Sequence, residues 1–411
     1  MYNCVVKRTC LTVIMDYICY KSTNPDMKKI YTLIIFTFLT LSVLRAQNNE
    51  YRPINPAMPF LRVAADARSA GMADVGIATS PDVFSQQWNP AKYVFSETQY
   101  GVAMSYTPYL TELVDDMGLL NLNFYKRVNE RSAFAFSLRY YGLGGFEFRQ
   151  TAFDQAREVK PNEIALDGSY ALKLSEQFSM AVAGRYLRSD LRLSEVEGAV
   201  DARAANSFAV DIAGYYQSPE IAYANFNGRW RGGFNISNVG PKISYSSDNT
   251  QEEFLPTNLG IGAGFDFIFD ADNRLMTSLE FNKYLVPTPS DSNGDGVINM
   301  EDDYYNKGFV GGIFDSFGDA PGGFSEELKE ITWGLGLEYM YQQVFALRTG
   351  YFNESNDKGA RKFFSLGAGF TFNSTTIDLS YLFSTSRVQN PLENTLRFSL
   401  RFNFGDNFTE F

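Results

Sequence analysis

From about residue 99 onward, apolar and polar residues alternate in segments of roughly ten, separated by turn residues. The stretch "LRFSLRFNF" is the clearest: Leu396, Phe398, Leu400, Phe402 and Phe404 fall on one face, and Arg397, Ser399, Arg401 and Asn403 on the other. "FAFSLRYY" from Phe134, "FSLGAGFTF" from Phe364 and "IDLSYLF" from Ile377 repeat the pattern. A period of two is the signature of a strand, because successive side chains leave opposite faces of the pleat. The pattern predicts fourteen strands: 99–107, 117–127, 131–142, 163–174, 177–188, 204–217, 229–238, 257–268, 274–284, 330–341, 343–353, 361–373, 375–385 and 394–404. No long amphipathic helix interrupts them.

Charge distinguishes a soluble sandwich from a membrane barrel. Arg139, Asp167, Arg185, Asp211, Arg231, Asp266, Glu280, Glu338, Arg348, Asp378, Arg397 and Arg401 each stand within a strand, opposite the large apolar side chains. The apolar faces carry Phe, Leu and Tyr in strand after strand, with Tyr141, Tyr216, Trp230, Tyr339 and Tyr341 near strand ends. An even number of such strands implies an all-β, 14-stranded antiparallel transmembrane barrel, with lipid outside, a polar lumen inside and aromatic girdles at both rims. Loop lengths agree. Connections after even-numbered strands are short (128–130, 175–176, 269–273, 342, 374), and those after odd-numbered strands are long (143–162, 189–203, 239–256, 285–329). Outer-membrane barrels have short periplasmic turns and long external loops. The segment 218–228 breaks the rule, and the rule places the N-terminus on the periplasmic side.

Composition narrows the chemistry. The chain of 411 residues has no His, which removes the commonest general base and metal ligand and excludes serine–histidine hydrolysis. All three cysteines, Cys4, Cys10 and Cys19, precede Met27. From Met27 the sequence "MKKIYTLIIFTFLTLSVLRAQ" has a basic start, an apolar run too short to span a bilayer and a small residue, Ala46, before Gln47. Residues 1–46 are therefore expected to be leader and secretory signal peptide, with the true start at Met27. Six basic and two acidic residues lie in that leader; taking them from totals of 36 and 47 leaves 30 and 45, a net charge of −15. An acidic exported chain without cysteine excludes thiol catalysis and disulfides and does not suit nucleic acid.

Residues 47–98 depart from the strand rhythm. They contain "FLRVAADARSAGMADVGIATSPDVFSQQWNPAKYVF", with Arg62, Asp66, Ala67, Arg68, Gly71, Met72, Gly76, Trp88, Asn89, Pro90 and Ala91. This stretch resembles the N-terminal hatch of FadL-like barrels, and within that superfamily it resembles most the PorV/PorQ family of the type IX secretion system in Bacteroidota. The resemblance is specific in the hatch and the first strand and in overall length, and looser in later strands. It implies a 47–98 hatch or plug, a 99–411 outer-membrane barrel, and a shuttle function. Such a protein would bind the C-terminal sorting domain of cargo proteins, receive cargo at a SprA-type translocon and carry it to an attachment complex of a PorU-type sortase, PorQ and PorZ. A FadL-like channel for hydrophobic small molecules is the alternative; it would need an apolar lumen pocket, which the charged inward faces do not favour. Arg62, Asp66 and Arg68 are expected to pair with wall charges such as Asp167, Asp211 or Arg397.

One further motif lies between the ninth and tenth strands. "DSNGDGVINMED" presents Asp291, Asn293, Asp295, the Val297 carbonyl, Asn299 and Asp302 at positions 1, 3, 5, 7, 9 and 12, with Gly296 at position 6. That is the spacing of a calcium loop. The preceding "YLVPTPS" is not helical, so calcium is expected to stiffen an external loop rather than drive a sensor. The acid pairs Asp115–Asp116, Glu252–Glu253, Asp302–Asp303 and Glu326–Glu327 fall in loops and read as solvated charge. Gly-rich "NLGIGAG" and "GLGLE" lie within strands and read as relief of crowding in the wall. No nucleophile–base pair emerges, so an enzyme is not expected. The loops expected to bind protein are 143–162 and 285–329, followed by "DNTQEEFLP" from Asp248.

Overall fold

The computed structural model describes residues 51–110, 116–149, 155, 157–191, 204–245, 252–299, 301–386, 390 and 392–408. The expected leader, residues 1–46 with all three cysteines, lies outside the described residues, as do parts of the loops 143–162 and 189–203 and residues 248–251.

Fourteen long strands form a closed antiparallel sheet. They are β1 (Thr98–Pro108), β2 (Met117–Arg127), β3 (Ser132–Leu143), β4 (Asn162–Lys173), β5 (Phe178–Asp190), β6 (Ala205–Gln217), β7 (Asn227–Val239), β8 (Asn258–Ile268), β9 (Asn273–Tyr284), β10 (Thr332–Tyr341), β11 (Phe345–Asn353), β12 (Lys362–Phe372), β13 (Thr375–Ser384) and β14 (Leu396–Asn407). Each pairs with its sequence neighbour. Closure comes from β1 on β14, with Ser105 opposite Ser399 and Tyr106 opposite Phe398. A closed ladder leaves no unpaired edge, which is what the hydrocarbon core of a bilayer demands.

The alternation resolves into inside and outside. All twelve strand charges named from the sequence are buried, from Arg139 to Arg401. Phe136, Leu166, Phe208, Leu347, Phe372 and Phe398 are exposed on the outer surface. At the rims, girdle tyrosines find amide partners: Tyr186 Oη donates to Asn206 Oδ1 at 2.7 Å, Tyr339 to Asn273 at 2.5 Å and Tyr381 to Asn394 at 3.0 Å. Tyr216, Trp230, Tyr339 and Tyr341 face outward as expected, but Tyr141 does not. It is buried, stacked on Phe60 with ring centroids 5.8 Å apart. Tyr140 takes the outward place beside it, as the period of two requires.

The segment 218–228 is long because it extends the wall. Ile221 and Ala222 pair with Gly228 and Asn227, lengthening the β6–β7 hairpin beyond its neighbours. An aromatic cluster covers that hairpin, in which Trp230 and Phe265 meet at 4.6 Å and Phe226 and Phe267 at 5.3 Å.

Residues 51–96 run along the inner face of the wall. The two ends of this segment lie at opposite rims. Ser96 accepts from Arg127, at the short-turn rim where β1 begins. Arg52 N donates to Asp357 O at 3.0 Å and Ala57 N to Phe254 O at 2.9 Å, both in long loops. The start of β1 therefore lies at the short-turn rim and Tyr51 at the loop-rich rim: the chain passes along the lumen between them.

Candidate functional site: a charged lumen and an acidic cap

Local sequence explains how the N-terminal segment holds its shape. Asp66 caps a short turn at Ala67–Ala70, its carboxylate accepting from Ser69 N at 2.7 Å and from Trp88 Nε1 at 2.8 Å. An N-cap carboxylate satisfies an otherwise orphaned backbone donor. Asn89 caps the next turn by accepting from Ala91 N at 3.1 Å, and its Nδ2 reaches Ile77 O at 3.2 Å and Gly214 O at 3.0 Å. Gly76 lacks a side chain for a steric reason, since a Cβ there would lie 2.3 Å from the Trp88 ring. The motif residues thus fold the segment on itself, and Asn89 also ties it to the wall.

The wall receives this segment through glycine. A Cβ on Gly350 would lie 2.4 Å from the Met72 carbonyl carbon, and one on Gly336 2.8 Å from Met72 O. Gly71 and Gly367 approach so closely that a Cβ on either would stand about 3 Å from the other's Cα. The "GLGLE" and "NLGIGAG" glycines relieve crowding as expected, and what crowds them is residues 72–78, backbone and side chain alike.

Charge completes the attachment. Arg68 donates through Nη1 to Asp82 at 2.8 Å, and through Nε and Nη2 to Glu338 at 3.0 and 2.8 Å. Arg348 Nε joins Glu338 at 2.5 Å, while its Nη1 meets Asp378 at 2.8 Å. Arg401 Nε also reaches Asp378, at 2.8 Å. The result is an alternating ladder, Asp82–Arg68–Glu338–Arg348–Asp378–Arg401, with every member buried. Such charges are tolerated out of water only when each is paired and hydrogen-bonded. The Glu280 carboxylate accepts from Gly76 N and Ile77 N at 2.8 and 2.9 Å, fixing the turn that follows.

The pairing differs in detail from the sequence expectation. Asp167 and Asp211 both pair with Arg185 rather than with the N-terminal segment. Arg397 does meet the segment, through Asp74 at 3.4 Å. Arg62 donates to Asn282 at 3.1 Å. Glu338, Asp82, Asp74 and Glu280 were not singled out as partners, because strand alternation says which residues face inward but not which of them lie opposite one another.

The buried charges of the segment titrate accordingly. Burial, followed by the neighbouring Asp82, raises the Asp66 carboxyl above its usual range. Burial also pushes Asp82 up, but Arg68 and Lys92 outweigh it and hold Asp82 below the ordinary value. Lys92, whose Nζ donates to Gly76 O at 2.7 Å and Thr79 Oγ1 at 3.0 Å, is brought down by burial to about 8.

At the loop-rich rim, residues 285–331 fold into a cap. Within it are one-turn helices at Asp303–Asn306 and Phe324–Glu327 and a longer one at Phe309–Asp315. Lys283 Nζ binds Glu327 at 3.0 Å and Glu330 at 2.5 Å; Lys358 Nζ binds Glu326 at 2.7 Å and Glu330 at 2.9 Å. Beneath the cap, the cavity lined by Arg62, Asp74, Asn282, Glu330, Lys358 and Arg361 encloses only about 50 Å³.

The calcium-loop residues lie in this cap and are linked by hydrogen bonds, although among the described residues no three carboxylates converge as a metal cluster. Asp291 accepts from Gly294 N at 2.6 Å, Asp295 N at 3.2 Å and Gly296 N at 2.8 Å. Asn293 Oδ1 accepts from Asp295 N at 2.9 Å, and Asn299 Nδ2 lies 3.4 Å from Asp295 and 3.5 Å from the Val297 carbonyl. Asp302 closes the loop, accepting from Ser292 N at 2.7 Å and Asn299 N at 2.8 Å. Gly294 and Gly296 take φ of 78° and 85°, the left-handed conformation such a loop needs at its sharp turn. The donor set is oxygen only and suits a hard cation.

Comparison with solved structures finds barrels at low identity. A Pseudomonas aeruginosa FadL homologue is 13% identical, with a TM-score of 0.43 over 83% of this chain and 98% of its own. The CymD monoaromatic hydrocarbon channel is 12% identical, with a TM-score of 0.47 over 84% of this chain and 98% of its own. The Pseudomonas putida toluene transporter TodX is 11% identical, with a TM-score of 0.46 over 82% of this chain and 98% of its own. No curated protein matches. The family model described as type IX secretion system protein PorV matches residues 45–291, more than half of the 411 residues. The match spans the N-terminal segment, the glycine-lined strand β8 and the first nine strands, and the chain belongs to the PorV family of type IX secretion outer-membrane barrels.

Proposed function

We propose that this protein is the cargo-handling barrel of a type IX secretion system. It binds the C-terminal sorting domain of secreted proteins and shuttles them from a SprA-type translocon to an attachment complex with a PorU-type sortase, PorQ and PorZ. Family membership over residues 45–291 is the observation that carries this reading. The lumen supports it from another direction. Residues 51–96 act as a plug, held by the Asp82–Arg401 ladder, and the cavity above them encloses only about 50 Å³, with Arg62, Asp74, Glu330, Lys358 and Arg361 in its lining beside Ile54, Trp88, Tyr284 and Phe352. A channel for hydrocarbons needs an apolar route, and this lumen is a poor one.

The test is a gentle detergent extraction of the tagged protein from its native outer membrane, with mass spectrometry of what co-purifies. Secreted proteins sharing a C-terminal domain, together with a giant translocon barrel or a sortase-like protease, are expected. A barrel carrying only lipid or fatty acid would sink the reading and promote the channel.

The cap loop is further proposed to bind calcium through Asp291, Asn293, Asp295, the Val297 carbonyl, Asn299 and Asp302, as a stiffener of the external surface. Binding in the range of about 10⁻⁴–10⁻³ M is expected, as for extracellular modules. Calorimetry on the wild type and Asp291→Ala checks it; no heat from the wild type at millimolar calcium defeats it.

A further inference from the structure

Most apolar side chains of an external loop turn inward, yet the cap presents some of its largest to solvent. Phe314 is 73% exposed and Phe324 77% exposed, and Val310, Phe317 and Leu328 are exposed beside them in sequence. This is outside the lipid-facing wall, where such exposure would be ordinary.

The register of the Phe309–Asp315 helix explains the orientation. Gly312 and the following Ser316 are buried, four residues apart and so on one face. A Cβ on Gly312 would stand 2.9 Å from the Phe254 ring and 3.0 Å from Pro287, so this face lies directly against the loop beneath. Val310 and Phe314 are two residues on either side of Gly312. At 100° per residue they point away from it, toward solvent. The loop is also tied down: Lys283 and Lys358 hold Glu326, Glu327 and Glu330, and Thr288 N donates to Asp319 at 3.2 Å. The aromatic side chains are therefore presented from a fixed support, which lowers the ordering cost of binding.

Charge selects the occupant. Residues 285–331 hold ten Asp and Glu against Lys307 and Lys329, a net of −8 that Lys283 and Lys358, bound to Glu326, Glu327 and Glu330, bring to −6. A second copy of this acidic chain is repelled, and so is an anionic lipid surface. We propose that the cap is a docking surface for a folded protein partner that offers apolar sockets within a basic rim, with Phe314, Phe317 and Phe324 as the inserted side chains. This rests on the secretion reading, in which the partner is the cargo sorting domain.

The experiment uses the full chain in lipid nanodiscs and a purified C-terminal sorting domain from a secreted protein of the same organism, with affinity measured at low and high salt. The triple variant Phe314→Ser/Phe317→Ser/Phe324→Ser alters only exposed side chains, and unchanged heat-modifiable migration checks its fold. Loss of at least about tenfold in affinity is expected, since hot-spot aromatics at interfaces commonly reach that size. Wild-type affinity should also fall as salt rises. Undiminished binding by the triple variant overturns the docking surface and leaves the secretion reading standing. Binding that ignores salt overturns the basic partner. Absence of wild-type binding overturns both readings.

Discussion

Replacing Glu338 by Gln tests whether the N-terminal segment is held by the charge ladder. The Glu338 carboxylate accepts two bonds from Arg68, at 3.0 and 2.8 Å, and one from Arg348, at 2.5 Å. The substitution keeps the shape, removes one negative charge and turns an NH₂ group toward two guanidinium groups. Asp82 and Asp378 remain, so three buried arginines then share two carboxylates. Removing one partner of a buried pair costs about 3–5 kcal/mol. Arg348 belongs to the wall and keeps Asp378, so most of that cost is relieved when Arg68 leaves. Release of the segment should therefore become easier by a factor of about 10²–10³, at about 1.4 kcal/mol per factor of ten. A single cysteine at Ala70, which is buried, reports that release through its rate of maleimide labelling. A chain beginning at Gln47 behind a foreign signal peptide carries no other cysteine. Labelling in Glu338→Gln should be faster by that factor. Rates within about threefold of each other would refute the ladder as the fastening, because a factor of three corresponds to only about 0.7 kcal/mol.

Three other outcomes follow from the same geometry. Gly350→Ala puts a Cβ 2.4 Å from the Met72 backbone and should also free the segment, whereas Gly184→Ala, which meets nothing within 4 Å, should behave as wild type in the same labelling assay. Lys92 sits at about 8, below the ordinary lysine value of about 10.4, so the docked state binds fewer protons than the released state between those pH values. Protection from labelling should therefore rise with pH from about 8 to 10.4, and Lys92→Met should flatten that rise; a wild-type profile already flat there contradicts the assignment. Leu400→Arg places a charge on the lipid face of β14 and should lower unfolding stability in bilayers by about 2–4 kcal/mol if the site is near the midplane, measured by denaturant titration.

The sequence by itself determined the wall. A period of two is a local property, so β2 falls where alternation puts it, at Met117–Arg127, and the inward sense of Asp211, Glu338 and Arg401 follows without knowledge of any partner. The same pattern already assigned Tyr140 outward and Tyr141 inward, although proximity to a strand end suggested a girdle. The residues that shape the N-terminal segment were legible as a motif, since Asp66, Gly76 and Asn89 act within some twenty residues of one another. Only the tertiary structure decided what lies across the lumen. Arg68 meets Glu338, 270 positions away, because barrel closure and strand stagger bring β10 opposite the segment. That pairing depends on the sum of every register around the barrel, and no local spacing encodes it. The same holds for the course of residues 51–57 to the loop-rich rim and for the outward face of Phe314. The first is set by bonds to distant loops, Arg52 N to Asp357 O and Ala57 N to Phe254 O, and the second by the Phe254 ring and Pro287 lying against Gly312; such approaches exist only once the chain has folded.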